Sequence, residues 1–154
     1  MNDSRGEHTI KINTCFRYAV IVTAIAFGTI AAQAATVNLK ATLNTASEVP
    51  AKTGDGTGTL SATLDTTTHE LKYHVEFRGL SGPATAAHFH GPAAVGANAG
   101  PQVAVKGKIE SPIDGTATLT PEQQKDLLDG KWYFNVHTAA NPGGEIRGQV
   151  TTGE

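Results

Sequence analysis

The chain has 154 residues, the size of one domain, with 17 glycines and a charged fraction of 17%. Its formal net charge is −2 and it has no basic run, which argues against a nucleic-acid partner, whose phosphates call for clustered Lys and Arg. Its many Thr and Ala residues, with the high Gly content, suit strands and tight turns better than long helices.

The first segment reads as a targeting sequence. Arg5, Lys11 and Arg17 precede the apolar run YAVIVTAIAFGTIAA, Tyr18 to Ala32, which ends in Ala32-Gln33-Ala34. A basic start, an apolar stretch and an A-x-A site predict a signal peptide over residues 1–34, cut after Ala34. The run is short for a membrane span, which needs roughly 20 apolar residues; an uncleaved N-terminal anchor is the alternative. Cys15 lies outside a lipoprotein-type context, so no lipid anchor is expected, and no membrane association after cleavage. The expected location is periplasmic or secreted. Removing Arg5, Lys11, Arg17, Asp3 and Glu7 with the signal leaves residues 35–154 with net charge −3 and no cysteine. A metal site there must use His, carboxylate or backbone oxygen.

From residue 35 the pattern is one of strands. In ATVNLKATLN, Val37, Leu39, Ala41 and Leu43 alternate with polar residues, the period of a half-buried strand. SEVPAKTGDG is a turn-rich loop. TGTLSATLD and ELKYHVEFRGL alternate again, joined by a short polar turn, and read as a hairpin. In the second, Leu71, Tyr73, Val75 and Phe77 face inward, and His74 joins Glu76 and Arg78 in a charged surface row. His69, in the turn, reads as a solvated loop residue. SGPATAAHFHG is a fourth strand, and PAAVGANAGP a small-residue surface loop. QVAVKGKI and GTATLT are short strands flanking Ser111-Pro112.

One helix is predicted after Thr120, with Pro121 at its first position, a Thr-x-x-Gln capping box to Gln123, and Gly130 as its stop. KWYFNVHT is then a strand with Trp132, Phe134 and Val136 in the core and Tyr133, Asn135 and His137 opposite. EIRGQVT closes the domain. Seven or eight short strands with one short helix predict an all-β, antiparallel β-sandwich.

The histidines are the chemical signal. His88 and His90 stand two apart on one strand, which puts both on one face about 6.5–7 Å apart at the backbone. Two such imidazoles can converge on one ion with bonds of about 2.0–2.1 Å. His137, at the end of an alternating strand, is the natural third ligand, with Asn135 or Glu145 as a partner that fixes its tautomer. Neutral imidazoles suit copper or zinc. The competing reading makes all three polar residues of a wet strand face, and makes Glu145 and Arg147 a surface ion pair. No nucleophile elbow occurs and the acidic residues are dispersed, so no catalytic residue is nominated.

Two segments, LSGPATAAHFHGPA (Leu80–Ala93) and LTPEQQKDLLDGKWYFNVHTAANPGGEIRGQV (Leu119–Val150), resemble the signature blocks of the CHRD domain, named for chordin and also found in small exported bacterial proteins. The resemblance implies a CHRD domain over 35–154 with an immunoglobulin-like or superoxide-dismutase-like Greek-key sandwich, and no settled activity. A more distant similarity is to copper–zinc superoxide dismutases, in which a His-x-His strand, a later Val-His and an Asn-x-Gly-Gly-type turn follow in the same order. It implies His88, His90 and His137 as copper ligands. No histidine lies between His90 and His137 and the disulfide cysteines are missing, so the dismutase's bridging histidine and zinc ligands have no counterpart. The expected function is metal binding, copper first, without catalysis. The alternative is a metal-free module that binds an extracytoplasmic protein or matrix, and dismutase-type catalysis comes last.

Overall fold

The computed structural model describes residues 35–153, so the expected signal peptide lies outside the described residues. Nine strands and one helix follow in order: β1 (Thr36–Asn44), β2 (Thr57–Asp65), β3 (Glu70–Arg78), β4 (Ala84–His90), β5 (Pro101–Ala104), β6 (Ile113–Thr118), α1 (Pro121–Leu128), β7 (Tyr133–Thr138), β8 (Ile146–Gln149) and β9 (Thr151–Thr152). No described helix is long and apolar enough to cross a membrane.

The strands are connected in the order β5-β4-β7-β8-β1-β2-β3-β6, with β9 added to β1. Every pairing is antiparallel. The two flanks, β5-β4-β7-β8 and β1-β2-β3-β6, meet through one residue pair, Asn44 and Arg147. Gly148 permits that approach, because a Cβ there would collide with the Thr42 carbonyl. The connections β3–β4, β5–β6 and β6–β7 each cross from one flank to the other, so both flanks wrap one core. Leu39, Leu43, Leu60, Leu64, Leu71 and Val75 from the first half of the chain meet Phe89, Trp132, Phe134 and Val136 from the second. The Phe89 ring sits at the centre, edge-on to Tyr73 at 5.2 Å and to Phe134 at 4.8 Å between centroids. Such aromatic pairs add to the area they bury.

The all-β, antiparallel prediction holds, and α1 has the predicted start. The Thr120 hydroxyl accepts from Gln123 N at 3.2 Å while the Gln123 side chain accepts from Thr120 N at 2.9 Å. Gly130 follows with φ of 71°, a left-handed conformation that glycine adopts at low cost. The closing strand is split. Val150, fully buried, donates to the Trp132 carbonyl at 2.8 Å and hands the chain from β7 across to β1. Two surface expectations fail. His69 is not a solvated loop residue: it holds φ of 60° and its Nδ1 lies 2.8 Å from Gln124 Oε1, tying the β2–β3 turn to α1. Glu145 and Arg147 are not a surface pair, since both are buried and each has its own set of partners.

Candidate metal centre

Alternation on β4 turns Phe89 into the core and His88 and His90 to the other face. β7 lies beside β4, with Asn135 opposite His88 and Tyr133 opposite His90. Two residues along β7, His137 therefore falls diagonally from His88 on the same face. The three imidazoles meet: one ring nitrogen from each lies within 4.8 Å of the other two. The ring centroids are 5.0 Å (His88–His137), 5.4 Å (His88–His90) and 6.2 Å (His90–His137) apart.

Hydrogen bonds decide which nitrogens are free. His137 Nδ1 is 2.9 Å from the Pro142 carbonyl and must donate to it, leaving a lone pair on Nε2. His90 Nδ1 is 3.0 Å from the Ala99 carbonyl and likewise donates. His90 Nε2 is then a bare acceptor, buried without a well-formed hydrogen bond, and the Asn135 amide, whose own Oδ1 is unpaired, lies close to it. His88 Nδ1 lies 3.1 Å from His137 Nε2, so the N–H between them belongs to His88. Two nitrogens bound to one ion at about 2.0–2.1 Å and a near-tetrahedral angle stand roughly 3.3 Å apart, so an ion can replace that hydrogen bond with little rearrangement. The set His88 Nδ1, His90 Nε2 and His137 Nε2 fits copper or zinc.

The environment favours uncharged rings. Burial pushes the His88 pKa below the ordinary value, and the neighbouring His137 and His90 push it further down. Burial also lowers that of His90, against the opposing pull of the Ala99 carbonyl. A ligand must be neutral to bind, so both shifts leave the site ready for a metal near neutral pH.

The opposite face of β7 is not wet. All six β7 residues are buried. The segment 94–100 lies over this face, holding His90 through Ala99 O, Tyr133 through Ala99 N and O at 3.2 Å each, and Arg147 through Ala97 O and Asn98 Oδ1. The Tyr133 ring stacks on His90 at 4.8 Å with 3° between planes. The Arg147 guanidinium sits over the same Tyr133 ring at 3.3 Å.

Asn135 and Glu145, expected beside His137, do different work. The carbonyl of Pro142 fixes the His137 tautomer. Asn135 is buried next to Glu48, which desolvation holds above the ordinary carboxylate pKa in spite of Arg147. Glu145 secures the turn that carries Pro142. It accepts from Ser81 N and Ser81 Oγ at 2.6 Å each, Thr138 Oγ1 at 2.5 Å and Asn141 Nδ2 at 3.1 Å. Burial pulls its pKa up, but these donors outweigh burial and leave it below the usual value. Glu48, Tyr133 and Arg147 were missed as site neighbours. Alternation placed Tyr133 on the right face, but Glu48 sits in a loop with no periodic signal.

The architecture is that of an all-β, antiparallel domain with a cluster of three histidines, one of which, His90, is held by the 94–100 loop. The CHRD domain family model matches residues 39–150, and the chain belongs to that family. No curated protein and no solved structure matches it significantly.

Proposed function

We propose that this CHRD domain is exported and binds one copper ion through His88 Nδ1, His90 Nε2 and His137 Nε2, holding it for storage or transfer. The observation that carries the reading is the convergence of three imidazoles, with His90 Nε2 buried and unpaired apart from the neighbouring Asn135 amide. A buried acceptor left unpaired costs about 1–3 kcal/mol, and a bound ion removes that cost. Bound copper would supply a one-electron redox centre and a Lewis acid. The chain's own contribution is to lower the pKa values of His88 and His90, orient His90 and His137 by backbone carbonyls and shield His90 with Ala99. Copper ranks ahead of zinc. Export is supported by the basic, apolar and A-x-A pattern of residues 1–34.

Titration of the purified protein with copper and zinc tests the reading. One equivalent of copper should bind, and replacing His88, His90 and His137 together by alanine should abolish that binding while the circular dichroism spectrum is retained. Equal binding by wild type and the triple variant would leave the metal-free, protein-binding reading in its place.

A further inference from the structure

The buried charge beside the cluster bears on which ion the cluster takes. All three candidate ligands are imidazoles, which bind a metal as uncharged donors. Arg147 is only 2% exposed and its guanidinium donates to neutral acceptors, Asn98 Oδ1 and the Ala97 carbonyl. Among the described residues, no carboxylate lies within ion-pair distance of it. Strand order places β7 between β4 and β8, so the Tyr133 ring separates His90 on one side from Arg147 on the other. The stacking distances put this fixed positive charge on the order of 10 Å from the imidazole nitrogens, through a ring that excludes water.

We propose that the three-histidine site selects copper(I) over copper(II) and zinc(II), and that Arg147, stacked through Tyr133 on His90, sets this preference. The inference rests on the copper reading above. A buried cation raises the free energy of a divalent ion at the site twice as much as that of a monovalent one. At about 10 Å and an effective permittivity of about 20, the one-charge difference amounts to roughly a tenfold ratio of affinities. Ligand number points the same way. Copper(II) prefers a tetragonal set, whereas copper(I), with a filled d shell, accepts three nitrogens. Glu48 is the nearest counter-charge to be named. It is buried beside Arg147, and any charge it carries opposes that of Arg147.

The test is the midpoint potential of the copper-loaded purified protein, together with affinities for copper(I), copper(II) and zinc(II) measured by chelator competition. Wild type should show a potential above that of free copper in the same buffer, meaning tighter binding of copper(I). Arg147→Met should lower the copper(I)-to-copper(II) affinity ratio about tenfold, about 59 mV for a one-electron couple. Arg147→Lys, which keeps the charge, should restore most of it. A wild-type potential below that of free copper overturns the selectivity. An unchanged potential in a folded Arg147→Met protein overturns the role of Arg147. No copper binding in either oxidation state overturns the copper reading itself. If Arg147→Met fails to fold, Glu48→Gln decides. At pH 8.5, removing the opposing carboxylate should raise the potential, and a fall or no change contradicts the electrostatic account.

Discussion

The two flanks of the sheet use the same strand geometry in opposite ways. On β1 and β2 burial alternates strictly, with Leu39, Leu43, Leu60 and Leu64 inward and lysine, threonine and serine in solvent. On β7 every residue is buried, because segment 94–100 holds Tyr133, Glu48 lies beside Asn135 and the turn at Pro142 holds His137. The histidines follow the flanks. His74 on β3 is partly exposed, with Nδ1 2.7 Å from Asp114, and that hydrogen bond outweighs desolvation to raise its pKa. His90 is held by the cover and His88 stands beside it, and burial lowers the pKa of both. One residue type is thus a surface partner on the regular flank and a neutral donor on the covered one. The difference lies in what lies over the strand, not in the strand itself.

The largest effects come from breaking that contrast by alanine substitution, read by urea denaturation. On β2, Leu60→Ala should cost about 2–5 kcal/mol and Thr59→Ala less than about 0.5 kcal/mol. On β7 both parities should be costly: about 3–5 kcal/mol for Phe134→Ala, and about 2–4 kcal/mol for Tyr133→Ala, which loses both ring packing and the bonds to Ala99. A near-neutral Tyr133→Ala would show that the cover contributes nothing to the covered face.

Glu145→Ala comes next, at about 2–4 kcal/mol, since Ser81, Thr138 and Asn141 lose a charged acceptor together. Its folded pKa is depressed, so its contribution is fully present above the unfolded value near pH 4.5 and is lost as pH falls through the folded value. The turn it secures carries the Pro142 carbonyl, so the same variant should also weaken metal binding at His137. Unchanged stability together with unchanged metal affinity would remove Glu145 from the account.

The smallest effects are those of pH, and they have opposite signs on the two flanks. Because the folded pKa values of His88 and His90 are lowered, their contribution is complete above about pH 6.5 and is lost as pH falls through the folded values. Because that of His74 is raised, its contribution is complete below about pH 6.5 and is lost as pH rises through the folded value. In metal-free protein, His90→Gln should therefore reduce the stability lost between pH 7.5 and 5. His74→Gln should act in the other direction, and only slightly, since its pair with Asp114 faces solvent. Same-sign changes in the two variants would contradict the assignment of neutral rings to the covered face.

The sequence was legible where one face of a strand meets water. Period-two alternation located β1, β2 and β3, and the Thr120–Gln123 capping box located α1. The His-x-His spacing and the Val-His on β7 named the three imidazoles that meet. The cover was not legible, because alternation reports a face and not what lies on top of it. Tyr133 and Asn135 therefore read as polar-face residues, and Glu145 and Arg147 as a surface pair, when all four are buried. Their partners come from backbone carbonyls and from loop residues such as Asn98, and a carbonyl carries no sequence signature.

X-ray absorption at the copper edge of the loaded, purified protein tests the central claim most directly. Three imidazole nitrogens on one ion predict a first shell of about three nitrogens near 2.0 Å with the outer-shell scattering of imidazole rings, lost in the protein with His88, His90 and His137 replaced by alanine. A shell of oxygen donors without imidazole scattering, or the same spectrum from the triple variant, would contradict it.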